Sequence, residues 1–199
     1  MKGKILLVDN FDSFTFNIFH YLKMTDFEVD VVRNDDILFL DFHNYDAIVL
    51  SPGPGLPEEA RDLMTFIKLI PDVIPVLGVC LGMQALAVND NGELFNLNTV
   101  RHGISKYCWH NSSSLLFDQI NEKFSIGLYH SWAVKEESIL QNWIPIAHDE
   151  ENILMAFEHK SLPRYGVQFH PESILTPEGF AIVANFGMLV SQRKLLKQH

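Results

Sequence analysis

Short apolar runs separated by helix-like stretches constrain this chain more than any other feature. Lys4 to Val8, Asp46 to Leu50 and Pro75 to Val79 each carry apolar residues at consecutive positions. Successive side chains of a strand point to opposite faces, so such a run must be covered on both sides. Glu28 to Arg33 reads as a further strand and Tyr165 to Phe169 as another. Between them, Asp12 or Ser13 is placed to cap a helix running to about Lys23. Glu58 to about Ile70 has helical spacing, with Leu63, Phe66, Ile67 and Ile70 on one face. Strands alternating with helices predict an α/β fold, a mostly parallel sheet with helices on both faces.

Gly92 to about Glu158 differs, with shorter alternating runs, more Asn and Ser and fewer helix formers. It is read as an added region of mostly antiparallel strands. Thr176, Pro177 and Glu178 then form a helix start, with Thr as cap and Glu against the dipole. That helix is expected to reach about Val190, giving one domain over residues 1–190 and a tail over 191–199.

Composition narrows the function classes. The 199 residues carry a net charge of −10, which disfavours binding to phosphate backbones. Arg193, Lys194 and Lys197 are too few to reverse this and are read as a frayed helix end. The apolar run after the N-terminal Met-Lys-Gly-Lys stops at Asp9, too soon for a signal peptide. No stretch approaches the roughly 18 apolar residues of a membrane span. Two cysteines, Cys80 and Cys108, are too few for a disulfide framework and fit free thiols in a cytoplasmic protein.

The chemistry is expected at Cys80. The apolar strand leads directly into Gly78-Val79-Cys80-Leu81-Gly82, followed by a helical pattern. This is the cysteine form of the nucleophile elbow, Gly-x-Ser-x-Gly. Glycines on both sides permit a sharp turn, the helix N-terminus favours thiolate, and the amide of Leu81 is free for an oxyanion. The elbow alone leaves a buried structural thiol equally open, and Cys108 has no such setting.

Two further segments gain meaning beside it. Ser51-Pro52-Gly53-Pro54-Gly55 follows the third strand, at the sheet edge where α/β proteins bind ligands. Proline has no amide hydrogen, so only Gly53 and Gly55 can donate within the repeat, and one of them is the expected partner of Leu81 in an oxyanion hole. An ordinary turn is the alternative. Tyr165 to Ser173 ends a strand with His170-Pro171-Glu172, a base for the thiol and a carboxylate to orient it. A surface histidine is the alternative, since the chain has nine. No histidine pair has zinc-motif spacing, and no metal site is expected.

Together these segments resemble the class I, triad-type glutamine amidotransferases. The Ser-Pro-Gly-Pro-Gly loop, Gly-Val-Cys-Leu-Gly-Met-Gln and Gly-Val-Gln-Phe-His-Pro-Glu-Ser stand in the family's order, and the likeness runs from about Lys4 to Val190. Asp9-Asn-Phe-Asp-Ser-Phe-Thr-Phe-Asn17, Arg33-Asn34-Asp35 and Ile174-Leu175-Thr176 resemble the glutaminase subunits of anthranilate synthase and aminodeoxychorismate synthase. The resemblance implies Cys80 as nucleophile, His170 as base and Glu172 as its orienter. It implies a glutamine site formed by Gly53, Pro54, Gly55, Gln84 and the backbones of Ser131 and Trp132. It implies L-glutamine as substrate, a chorismate-using synthase subunit as partner, and no cofactor in this chain, with Mg²⁺ belonging to the partner. Three positions depart from the family pattern: Met83 for a usual His, Ile104 for a usual Lys and Leu128 for a usual Arg. The last two are expected to remove charge from the surface facing the synthase. The rival readings are a partner-independent γ-glutamyl hydrolase, a non-catalytic regulatory subunit and a nucleotide-binding domain; no phosphate-binding loop supports the last.

Overall fold

The computed structural model describes residues 2–111 and 114–196. Its parallel strands are β1 (Gly3–Asp9), β2 (Phe27–Arg33), β3 (Ala47–Leu50), β4 (Val76–Val79) and β11 (Arg164–Val167). Between β4 and β11 lie β5 (Leu94–Asn96), β6 (Ile104–His110), β7 (Lys123–Leu128), β8 (Trp132–Val134), β9 (Trp143–Asp149) and β10 (Leu154–His159). Among the described residues, one sheet of nine strands has the order β2-β1-β3-β4-β11-β10-β9-β6-β7, and β5 pairs with β8 separately. The first five are parallel; β10, β9, β6 and β7 extend the same sheet antiparallel. Four antiparallel strands of the middle region thus widen the central sheet, and only the β5–β8 pair stands apart from it.

The helices are α1 (Thr15–Lys23), α2 (Leu63–Leu69), α3 (Leu81–Asn89), α4 (Glu136–Ile139) and α5 (Gly179–Leu196). Strand β1 explains why both faces are covered. Ile5 and Leu7 pack in a core with Ile18 and Leu22 of α1 and Phe186 of α5. Leu6 and Val8 pack in the other core with Phe66 of α2 and Leu86 of α3. All four strand residues are fully buried, each contributing roughly 1.5–3 kcal/mol by leaving water.

Three expected helix boundaries differ, one through a local turn and two where a contact from elsewhere in the chain engages a local group. The side chain of Asp12 accepts from Phe14 N in a tight turn, and α1 begins at Thr15 with no side-chain cap. The stretch from Glu58 breaks into a 3₁₀ turn over Pro57–Glu59 and then α2, because Arg61 turns left-handed at φ 49° while Asn34 Nδ2 donates to the Ala60 carbonyl. Leu63, Phe66, Ile67 and Ile70 still face the core as expected. Thr176 caps nothing: its hydroxyl accepts from Gly127 N at 2.9 Å and donates to the His170 carbonyl at 2.7 Å. Helix α5 therefore starts at Gly179, and it continues past Val190 to Leu196. Lys194, expected in a frayed end, pairs with Asp46 at 3.0 Å; Lys197 lies outside the described residues. No described helix is long and apolar enough to cross a membrane.

Candidate active site

Strand order brings the three sequence segments together. β3, β4 and β11 are adjacent and parallel, so the Gly-Pro loop, Cys80 and the His-Pro-Glu segment all leave the same edge of the sheet. Val79 stands opposite Val167, and Cys80 N donates to the Val167 carbonyl at 2.8 Å. The next residues of β11's exit are Gln168, Phe169 and His170, which places the base beside the thiol.

Cys80 occupies the elbow with φ 52° and ψ −104°, a conformation that costs a non-glycine residue of order 1–3 kcal/mol. The flanking glycines are a steric necessity. A Cβ on Gly78 would lie 2.5 Å from the Gly82 carbonyl, and one on Gly82 would lie 2.5 Å from the Leu50 carbonyl oxygen. Helix α3 consequently starts directly against β3 and β4. Gln84 N donates to the Cys80 carbonyl, so Leu81 N–H, in the first turn, has no acceptor within the helix. Gly53 packs against Leu81, where a Cβ would lie 2.5 Å from the leucine side chain, whereas Gly55 faces Glu59. Of the two glycine amides, Gly53 is therefore the neighbour of Leu81. The loop is pinned from behind: Asn10 N donates to Ser51 Oγ, Asn10 Nδ2 to the Ser51 carbonyl, and Asn34 Nδ2 to Asn10 Oδ1.

His170 and Glu172 form a buried pair, with Nδ1–H donating to Oε1 at 2.7 Å and side chains 3% and 0% exposed. Burial acts to lower the histidine pKa, but the Cys80 sulfur and then Glu172 outweigh it, and the imidazole sits well above its ordinary value. Its other nitrogen, Nε2, is buried and makes no hydrogen bond of good geometry. Tyr129 and Phe14 pack edge-on to the ring, with centroids 4.8 and 5.8 Å away. His170 is thus a surface histidine in no sense. Cys108 is fully buried, and burial followed by the charge of Asp149 pushes its thiol far up.

Gly53, Pro54, Gly55, Cys80, Leu81, Gln84, Ser131 and Trp132 line one cavity of about 140 Å³, together with Tyr129 and His130. That is well below the roughly 300–1,000 Å³ of drug-sized sites and suits a ligand of amino-acid size. Larger hollows, such as that beside Arg101, Lys106 and Glu151, hold no cysteine or histidine, and those charges pair with one another. Gln84 is only partly available to a ligand. Its Nε2 donates to the Trp132 carbonyl at 2.9 Å and to Gln168 Oε1 at 3.0 Å. His130 Nδ1 donates to the same carbonyl at 2.8 Å; burial, with Arg101 and His170 acting the same way, pushes its pKa down to about 4 and keeps it neutral. Among the described residues no cluster of three or more His, Cys, Asp or Glu could hold a metal ion.

The class-I glutamine amidotransferase family model matches residues 6–190. The chain belongs to that family. This amidotransferase is 41% identical over 186 residues to anthranilate synthase component II of Haloarcula marismortui, covering 92% of this chain and 96% of the relative. It is 40% identical over 187 residues to aminodeoxychorismate synthase of Streptomyces griseus, covering 92% of this chain but only 25% of that longer protein. A solved structure from Thermoplasma acidophilum superimposes with a TM-score of 0.89 at 22% identity, over 100% of this chain and 99% of that one, which shows the shared fold.

The departures from the family pattern fall differently from expectation. Ile104 is 38% exposed. Leu128 and Met83 are fully buried, and Met83 packs under Gly166. Leu128 therefore removes no charge from the surface. Sequence reasoning missed Gln168, His130, Tyr129 and the Asn10–Asn34 brace. Gln168 and both asparagines lay inside quoted motifs, but their roles depend on strand adjacency.

Proposed function

We propose that this chain is a glutaminase subunit that hydrolyses L-glutamine through a Cys80 thioester and delivers ammonia to a chorismate-using synthase. The observation that carries the reading is the left-handed elbow cysteine beside a buried, carboxylate-paired histidine, at the floor of an amino-acid-sized cavity. Glutamine binds between the Gly53–Gly55 loop and the Ser131–Trp132 backbone. The Cys80 thiolate attacks the carboxamide carbon. The amides of Leu81 and Gly53 hold the oxyanion, each such donor typically being worth a few kcal/mol. The His170 imidazolium, charged through its Glu172 partner, gives its Nε2 proton to the amine as the C–N bond breaks, releasing ammonia. Water then attacks the thioester. His170 takes its proton and returns it to the departing sulfur, and glutamate leaves. The sum is glutamine plus water to glutamate plus ammonia.

The names of the relatives support anthranilate or 4-amino-4-deoxychorismate synthesis as the destination. Exposed apolar side chains near the triad, Ile174 (93% exposed) and Ile104 on the Tyr129 side, fit a surface that a partner covers. Mg²⁺ belongs to that partner in this reading, and the complex is cytoplasmic. Replacement Cys80→Ala tests the chemistry: glutamine hydrolysis in the presence of a synthase subunit should be abolished. Retained hydrolysis would remove Cys80 from the mechanism. Equal turnover of γ-glutamyl dipeptides by the isolated chain would point to the partner-independent hydrolase instead.

A further inference from the structure

Gln168 is completely buried, yet it is a polar side chain between the nucleophile and the glutamine-binding loop. Its Nε2 lies 3.5 Å from Cys80 Sγ, and its Oε1 accepts from Gln84 Nε2 at 3.0 Å. Gln84 Nε2 spends its second hydrogen on the Trp132 carbonyl, 2.9 Å away.

The orientation of both carboxamides follows from one fixed point. A backbone carbonyl can only accept, so Gln84 must present nitrogen to Trp132. The same nitrogen then faces Gln168, which must present oxygen. Gln168 is left with its N–H₂ toward the sulfur. The donor at Cys80 is therefore set by a chain of acceptors and donors that begins at Trp132, and no amide flip satisfies the chain equally well. His130 Nδ1–H, also donating to the Trp132 carbonyl, holds that fixed point from the far side.

We propose that Gln168 is a positioning residue for the nucleophile: its amide N–H holds the Cys80 sulfur in the attacking orientation, and Gln84 couples that hold to the Ser131–Trp132 loop. The inference rests on the glutaminase reading. His170 also reaches the Cys80 sulfur, so the nucleophile faces both the imidazole and an amide donor. A hydrogen bond to a charged group stabilises more than one to a neutral group, so the donor holds the sulfur most firmly when it attacks. Gln84 then serves two tasks, lining the cavity and aiming Gln168.

The decisive variant is Gln168→Met, similar in length and without a donor. With a synthase subunit present, kcat for glutamine hydrolysis should fall roughly 10- to 100-fold while KM stays within about twofold. The acid limb of the kcat/KM profile should move to higher pH. In the isolated chain, the rate of Cys80 alkylation by iodoacetamide at pH 7, followed by mass spectrometry, should fall. Gln84→Met, which releases the aim of Gln168 without touching β11, should lower kcat and raise KM together. It provides the same test if Gln168→Met does not fold. Unchanged kcat, pH profile and alkylation rate in a folded variant, with only a lower melting temperature, would make Gln168 a packing residue and overturn the proposal. A wild-type chain that is alkylated normally but never turns over glutamine, with any synthase, would instead overturn the glutaminase reading.

Discussion

Replacing Glu172 with Gln separates orientation from charge in the buried pair. The amide oxygen can still accept from His170 Nδ1, so the imidazole keeps its tautomer, but the negative charge is gone. Both side chains are essentially excluded from water, so solvent screening does not discount the loss. The difference between a charged and a neutral hydrogen bond is about 1 kcal/mol at the low end. Two unit charges about 4 Å apart interact by about 4 kcal/mol at an effective dielectric of 20, which sets the high end. At 1.4 kcal/mol per factor of ten, kcat for glutamine hydrolysis should fall by about 5- to 700-fold. KM should hold, because Glu172 does not line the cavity. The histidine pKa is raised in the folded protein, so its contribution to stability is complete below imidazole's ordinary 6.5 and is lost as pH rises through the folded value. The stability gap between wild type and Glu172→Gln should accordingly be widest near pH 6 and narrow at alkaline pH. Steady-state kinetics with a synthase subunit, and denaturant titrations at several pH values, read both. An unchanged kcat would refute the idea that the carboxylate charge drives the chemistry.

Thr176→Val removes the hydroxyl that joins Gly127 N to the His170 carbonyl, leaving Gly127 N unpaired and the carbonyl with Ser173 N alone, at 3.2 Å. A loss of roughly 1–3 kcal/mol is expected, about 3–12 °C in melting temperature, with reduced turnover; a shift below about 2 °C would show that the brace is dispensable. Leu128→Arg, which restores the residue usual in the family, should destabilise by several kcal/mol because the site is sealed, whereas Ile104→Lys should stay within about 0.5 kcal/mol. Equal stability of the two variants in thermal unfolding would mean that Leu128 can reach water.

What could be read from the sequence was whatever sterics impose locally. The apolar runs of β1, β3 and β4 forced a sheet covered on both faces, and Gly78 and Gly82 announced a turn tight enough to present Cys80 to the cavity. Boundaries failed where contacts from elsewhere in the chain engaged a local group: Asn34 donates to the Ala60 carbonyl at the left-handed break before α2, and Gly127 and His170 occupy the Thr176 hydroxyl ahead of α5. The site was legible in its triad because each member sits in a dense motif. The Trp132–Gln84–Gln168–Cys80 chain was not, since it joins residues 48 and 84 positions apart: the β4–β11 pairing brings Gln168 to Cys80 and Gln84, and Trp132 arrives separately on β8.

The most direct test of the central claim mixes the chain with each candidate synthase subunit, chorismate and glutamine labelled with ¹⁵N in the amide, and follows the aminated product by mass spectrometry. The account predicts ¹⁵N in anthranilate, in aminodeoxychorismate, or in both if one subunit serves both synthases, with the label lost in Cys80→Ala. Unlabelled product formed only from added ammonium salts, with glutamine untouched, would contradict it.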